Sequence, residues 1–153
     1  MKKWIFITLV LLSGVFASCG KEQKLAVYLF YCDTSEFTPE REIVDAELRT
    51  VYTGILVDLM TDLSNMRLND KWDVWVVNDD FSAEDVKAEA EYDKHLPAVK
   101  DLESRYKKRI AEIGLQSESS FNIKVVYNLS RSVPADYSSA VYLREYSFDL
   151  RYN

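Results

Sequence analysis

The hydrophobic residues of this chain form blocks with two different spacings, one typical of strands and one typical of helices. Leu25–Tyr31 is a continuous apolar run, as found in a strand that is covered on both faces. A helix is predicted over residues 39–66, because apolar residues then recur at intervals of three and four and because Thr38 and Pro39 are favoured at a helix start. The folded part of the chain is therefore expected to open with a strand and a long amphipathic helix.

The same succession returns in the second half of the chain. Residues 72–77 predict a second strand, and Ser82 opens a second helix that is expected to bend or restart at Pro97. Residues 121–129 alternate as in a half-buried strand. A last strand is predicted to carry an aromatic row on one face, which either packs in the core or recruits a partner strand: Tyr142, Tyr146, Phe148, Leu150 and Tyr152.

The order strand, helix, strand, helix, strand, strand predicts an α/β fold. Alternation of this kind favours parallel strands joined by right-handed crossovers. We therefore expect a small three-layer sandwich with a mostly parallel four-stranded sheet, in which the first strand lies between the second and the third. The fourth strand is expected to be an antiparallel edge strand, and the two helices are expected to cover opposite faces.

The residues before this domain have the pattern of an export signal. Lys2 and Lys3 precede an apolar run over residues 4–12, and small residues follow it. The apolar run is nine residues long, which is short of the ~20 residues that span a bilayer. The stretch ends in Phe16-Ala17-Ser18-Cys19.

Those four residues resemble the lipobox of bacterial lipoproteins, in which the signal is cut before the cysteine and the sulfur carries a diacylglycerol. The resemblance implies a lipoprotein signal peptide over residues 1–18, lipidation of Cys19, a lipidated linker over residues 19–24 and a single α/β domain over residues 25–153. It also implies a lipid-anchored protein of the bacterial cell envelope. Gly20 stands where an aspartate retains many lipoproteins in the inner membrane, which indicates the outer membrane.

The charge balance narrows the range of partners. The chain has 19 Lys and Arg against 25 Asp and Glu, and loss of Lys2 and Lys3 with the signal changes its formal net charge from −6 to −8. An acidic domain lacks the basic surface that nucleic acids require. Anionic lipid headgroups repel it as well, so the acyl chains on Cys19 must hold it at the membrane. If Cys19 is acylated, Cys32 has no partner for a disulfide.

Candidate chemistry lies where the predicted parallel strands end, since ligands bind at the carboxyl ends of such strands. Carboxylate and hydroxyl oxygens at these ends suit Mg²⁺ or Ca²⁺, and no other cofactor is expected. The alternative is that these residues only cap helices and form turns. The candidate metal ligands are Asp33 and Ser35 after the first strand and Asp79 and Asp80 after the second, and Arg131 after the third strand is a candidate ligand-binding residue.

Asp33-Thr34-Ser35 also resembles the metal-binding motif of the von Willebrand factor A domain, Asp-x-Ser-x-Ser, which holds a divalent ion at the end of its first strand. The match covers Asp33 and Ser35, and Phe37 stands at the position of the second serine. What the resemblance implies is a metal-dependent adhesion site at this strand end.

Two hypotheses about function follow. The anchor, the short linker, the acidic surface and the lack of a catalytic signature favour a membrane-anchored, non-catalytic binding or assembly module with a protein partner in the envelope. The alternative is a metal-dependent enzyme or adhesion site at the carboxyl ends of the first two strands. A nucleophilic pair of Cys32 and His95 is disfavoured, because the charge of Asp33 raises the pKa of the adjacent thiol.

Overall fold

The computed structural model describes residues 26–68, 72–76, 81–133 and 136–153, and for 72–76, 133 and 136–139 it describes the backbone alone. Residues 1–25, with the predicted signal, Cys19 and the linker, lie outside the described residues. The elements along the chain are β1 Ala26–Asp33, a 3₁₀ helix Glu40–Glu42, α1 Ala46–Asn65, β2 Trp72–Val76, α2 Phe81–Ala111, β3 Phe121–Val133 and β4 Asp136–Tyr152.

The four strands form one sheet in the order β2-β1-β3-β4, and every neighbouring pair is antiparallel. The prediction of a mostly parallel sheet was therefore wrong. β2 and β3 are both antiparallel to β1, so they run parallel to each other with β1 between them. The connection from β2 through α2 to β3 is thus a split β-α-β unit.

The path after β1 explains why β2 runs antiparallel to it. Beyond Asp33 the chain continues in the same direction and pairs again with β3, through a bridge between Phe37 and Ile123. We call this continuation of the chain past β1 the overhang. α1 then returns the chain to the end of β1, where the carbonyl of Leu68 accepts a hydrogen bond from the amide of Cys32 at 3.0 Å. β2 therefore begins beside the carboxyl end of β1, where Trp72 pairs with Phe30, and it runs back along β1.

Both helices lie on the same face of the sheet, so the predicted three-layer arrangement was also wrong. The ring of Tyr52 on α1 contacts that of Phe121 with centroids 5.1 Å apart, and the ring of Tyr92 on α2 stacks on that of Tyr127 at 4.2 Å. Phe121 and Tyr127 are six residues apart on one strand and therefore point to the same face. We call this the helix face and the opposite one the far face.

One core lies between the helices and the helix face. α1 buries Leu48, Tyr52, Ile55, Leu59 and Leu63, which follow the predicted spacing of three and four, whereas Val44 lies before α1 and is 81% exposed. α2 buries Ala88, Tyr92, Val99, Leu102, Tyr106 and Ile110, and it passes through Pro97 as a single helix of 31 residues.

The start of α1 differs from the prediction. The chain forms a short 3₁₀ helix after Pro39, and α1 begins only at Ala46. Asp45 is the N-cap, because its Oδ1 accepts a hydrogen bond from the amide of Leu48 at 2.8 Å. A carboxylate cap that satisfies an unpaired helix amide outweighs the weaker preference for a helix start at Thr38 and Pro39.

An irregularity in β4 separates Tyr142 from the rest of the aromatic row. Leu129 pairs with Arg144 but Ser130 pairs with Tyr142, so one residue of β4 is left over at this point. Such a bulge shifts the alternation by one position, so residues of the same parity before and after it lie on opposite faces of the sheet. Tyr142 consequently lies on the far face and is 65% exposed, whereas Phe148 and Leu150 are buried on the helix face. The prediction that all five residues share one face was wrong for Tyr142.

Candidate binding surface

The predicted metal ligands of β1 form an exposed turn. The Oδ1 atom of Asp33 accepts a hydrogen bond from the amide of Ser35 at 2.8 Å, and both residues are exposed. This is the local geometry of an aspartate that stabilises a turn after a strand.

The direction of β2 removes the reason for expecting the two carboxyl ends to meet. The last residue of β2, Val76, pairs with Ala26 at the opposite end of β1 from Asp33. Asp33 lies seven positions after Ala26 along the strand, a distance of roughly 23 Å. Asp79 and Asp80 lie outside the described residues. Within the described part of the chain, no group of three or more His, Cys, Asp or Glu residues is placed to hold a metal ion.

Arg131 lies on the helix face, where it forms an ion pair with α2. Its Nη1 donates to Oδ2 of Asp85 at 2.7 Å, and its guanidinium lies 5.1 Å from the centre of the Phe81 ring. The hydroxyl of Tyr28 donates to the other oxygen of Asp85 at 2.7 Å. Arg131 is opposite Tyr28 in the sheet, roughly 17 Å along β1 from Asp33. We call Tyr28, Asp85 and Arg131 the Asp85 cluster.

Cys32 and His95 have separate environments. Burial raises the pKa of the Cys32 thiol to about 12, so almost no thiolate forms near neutral pH. His95 lies on α2, and its Nε2 is 3.5 Å from a carboxylate oxygen of Glu91. The thiol therefore lacks the activation that a nucleophile requires.

A charged cleft between α1 and α2 joins the two helices. It has a volume of about 280 Å³ and is lined by Asp58, Thr61, Asp62, Arg105, Tyr106 and Arg109. Arg109 pairs with Asp58 at 2.6 Å, and Asp62 accepts hydrogen bonds from Arg105 at 3.2 Å and from Tyr106 at 2.9 Å. Since its charges already pair with one another, this cleft holds the helices together.

The far face carries polar side chains from β3 that are buried although neither helix lies against them. Asn128, Ser130 and Ser132 alternate along the strand and are 6%, 3% and 3% exposed. Opposite them in β1 are Tyr31, Leu29 and Val27, in the same order. On its other side, Ser130 is opposite the exposed Tyr142. These residues form the surface that we call the far-face row.

Hydrogen bonding within the far-face row is incomplete. Burial raises the pKa of Tyr31 to about 12, and its interaction with the nearby hydroxyl of Tyr142 raises it in the same direction. Oδ1 of Asn128 and Oγ of Ser132 are buried and have no hydrogen-bond partner in the described part of the chain. An unsatisfied buried polar atom costs about 1–3 kcal/mol, so two on one surface call for an explanation.

The sequence predicts the alternation that creates the far-face row but not its burial. Asn128, Ser130 and Ser132 have the spacing of a polar strand face, which is expected to be exposed to solvent. No sequence signal distinguishes a buried serine with a partner from a buried serine without one. The bulge that brings Tyr142 beside Ser130 likewise lacks a glycine or proline to mark it.

Comparison with known proteins does not assign the chain to a family. No protein-family model, no curated protein and no solved structure matches it. A search of the described helices finds none with the length and apolar character to cross a membrane.

Proposed function

We propose that this chain is a lipid-anchored lipoprotein of the bacterial envelope that acts as a non-catalytic binding or assembly module, with the far-face row as its binding surface. The two unsatisfied oxygens of Asn128 and Ser132 carry this proposal. Both atoms are hydrogen-bond acceptors with almost no accessible surface, so a protein partner must displace the groups that cover them before its backbone or side-chain N–H groups can donate to them.

The composition of the surface supports a protein partner. Tyr142 is a large side chain that is 65% exposed, and Tyr31 and Leu29 beside it are half-buried. Tyrosine is enriched at recognition surfaces because it offers apolar contact area together with a hydroxyl. Binding would therefore combine apolar contact at Tyr142 with hydrogen bonds at the ends of the row.

The anchor part of the proposal rests on Cys19 and predicts that one of the two cysteines carries lipid. In bacteria labelled with radioactive palmitate, the wild-type chain and Cys32→Ser are expected to incorporate label and to fractionate with membranes. Cys19→Ser is expected to lose the label and to leave the membrane fraction. Label on Cys19→Ser, or an unmodified amino terminus in the mass of the native chain, contradicts the anchor.

The binding part predicts opposite effects of one substitution on stability and on binding. Ser132→Ala removes an unsatisfied buried oxygen, so we expect it to raise the free energy of unfolding by up to about 1 kcal/mol. The same change removes an acceptor for the partner, so we expect weaker recovery of a cross-linked envelope protein with the acylated chain. Urea unfolding and cross-linking in intact envelopes measure the two effects.

Ser130→Ala is the matched control, because Ser130 lies on the same strand and face, is equally buried, and its oxygen is not one of the two unsatisfied buried oxygens. It is expected to lower the free energy of unfolding by about 1 kcal/mol. A partner recovered equally well with Ser132→Ala and with the wild type would rule out the far-face row as the binding surface.

A further inference from the structure

The outer edge of β4 has an unused row of backbone hydrogen-bonding groups. β4 is 17 residues long and pairs with β3 on one side, and within the described residues no strand pairs with its other side. Edge strands in natural proteins are commonly short or blocked, because an open row of N–H and C=O groups recruits another strand. A long edge of this kind suits the addition of a strand.

The regular part of β4 is symmetric about one residue. Beyond the bulge, Arg144 to Tyr152 pair in unbroken step with Leu129 to Phe121. Phe148 is the midpoint of this segment. We propose that a second copy of this chain pairs with the segment, edge to edge and antiparallel, around a two-fold axis at Phe148. Arg144 of each copy then lies opposite Tyr152 of the other.

The charges on the far face of β4 favour this register over its neighbours. With Phe148 at the centre, Glu145 lies opposite Arg151 of the second copy, and this attractive pair occurs twice. With the centre at Ser147, Glu145 faces Asp149, and with the centre at Asp149 that aspartate faces its own copy. Both alternatives place like charges directly opposite each other, which is unfavourable in a sheet.

Both members of the attractive pair are available for it. Glu145 is exposed and takes part in no ion pair with another described residue. The side chain of Arg151 is 62% exposed, and its contacts with Asn122 and Asp149 at 3.2 and 3.1 Å use Nε and Nη2. Its Nη1 remains as a donor toward a carboxylate on the neighbouring strand.

Such a dimer goes beyond the proposed function, since it contains one continuous eight-stranded sheet. A two-fold axis perpendicular to the sheet places both far faces on the same side. The dimer then presents two far-face rows to one partner, and their simultaneous use raises the overall affinity without any new type of contact. Self-association itself does not depend on the far-face row.

Charge reversal tests the register. The full acylated chain is purified in detergent, and its dimer dissociation constant is measured by sedimentation at matched detergent density. Glu145→Arg and Arg151→Glu each turn two attractive pairs into two repulsive ones, so each is expected to weaken dimerisation about tenfold. The double variant E145R/R151E restores both pairs and is expected to return within about threefold of the wild type. Glu112→Arg reverses one charge at an exposed residue directly after α2, and it is expected to leave the dimer dissociation constant unchanged.

Cysteine cross-linking gives a second measurement that does not depend on affinity. In the proposed register Ser147 lies opposite Asp149 of the second copy, with Cβ atoms about 5 Å apart. A mixture of differently tagged Ser147→Cys and Asp149→Cys chains is expected to form a mixed disulfide above the background of the native cysteines. The proposal is overturned if the wild-type chain remains monomeric at about 0.1 mM, if the double variant is no better than the single ones, or if like-tagged disulfides predominate.

Discussion

The protein is expected to unfold cooperatively as the pH rises above 10, because five tyrosines of the described part of the chain are buried in its core with intact hydroxyls. Tyr28, Tyr52, Tyr92, Tyr106 and Tyr127 are at most 4% exposed. Burial raises the pKa of each, to about 12 for Tyr92. The hydroxyl of Tyr28 also donates to Asp85 and that of Tyr106 to Asp62, which raises their pKa values further.

The sign of the effect follows from proton linkage. A tyrosine whose pKa is higher in the folded state than its ordinary value near 10 keeps its proton longer in the folded protein than in the unfolded chain. Its contribution to stability is complete below pH 10 and is lost as the pH rises through the folded value. Each such group removes up to about 1.4 kcal/mol per pH unit, so five together remove up to about 7 kcal/mol in one unit. That loss is comparable with the whole stability of a small domain.

Two optical signals measure this transition. Tyrosinate absorbance near 295 nm and far-ultraviolet circular dichroism are expected to change together in one steep step. Tyr127→Phe removes one buried phenol whose only donated bond, to the carbonyl of Tyr92, is long at 3.4 Å. This variant is therefore expected to move the midpoint upward by a few tenths of a pH unit. If the tyrosines titrate gradually while the circular dichroism stays unchanged, their hydroxyls are not buried in the folded protein and the prediction is wrong.

Removal of the carboxylate of Asp85 is expected to lower the free energy of unfolding by about 2 kcal/mol. Asp85→Ala leaves the guanidinium of Arg131 without this acceptor and leaves the hydroxyl of Tyr28 with its longer contact to the carbonyl of Phe81 at 3.4 Å. The side chains of Asp85 and Arg131 are 21% and 20% exposed, so the cost lies between that of breaking a surface ion pair and that of breaking a buried one. Urea unfolding followed by circular dichroism measures the loss.

Two further variants separate this ion pair from a general effect at the start of α2. Glu84 is the preceding residue, and among the described residues it pairs with Lys87, whose side chain is 71% exposed, so solvent screens the ion pair and Glu84→Ala is expected to cost no more than about 0.5 kcal/mol. A double-mutant cycle of Asp85→Ala with Arg131→Ala is expected to give a coupling of about 1 kcal/mol or more. Additive effects of the two substitutions would show that Arg131 does not act through Asp85 and would return attention to its predicted role in ligand binding.

Prediction from the sequence succeeded where local spacing decides the outcome. The apolar run through Tyr31 lies in β1 from Ala26 onward, the stripe from Leu48 to Leu63 lies in α1, and the alternation after Phe121 lies in β3. The order of the four strands across the sheet also agrees with expectation, since consecutive elements tend to be neighbours. The start of α1 was misplaced because Asp45 is the cap and Thr38 is not.

The site was predicted less well, because it depends on strand direction. The candidate ligands Asp33, Ser35, Asp79 and Asp80 were grouped on the assumption of parallel neighbours, and β2 runs the other way. Arg131 was expected after the third strand, but β3 extends to Val133, so Arg131 lies within the strand and pairs with Asp85 on α2. The far-face row was not recognised, since burial of Ser132 depends on residues far away in sequence.

Local sequence alone therefore determined which segments become helices and strands and which side of each is apolar, because those properties depend on residues within a few positions of one another. Tertiary structure alone decided that both helices share one face, that the sheet is antiparallel, and that a bulge turns Tyr142 toward Ser130. These features depend on the path of the overhang after β1 and on contacts between distant segments, and the same pattern of hydrophobic residues is compatible with either direction of β2.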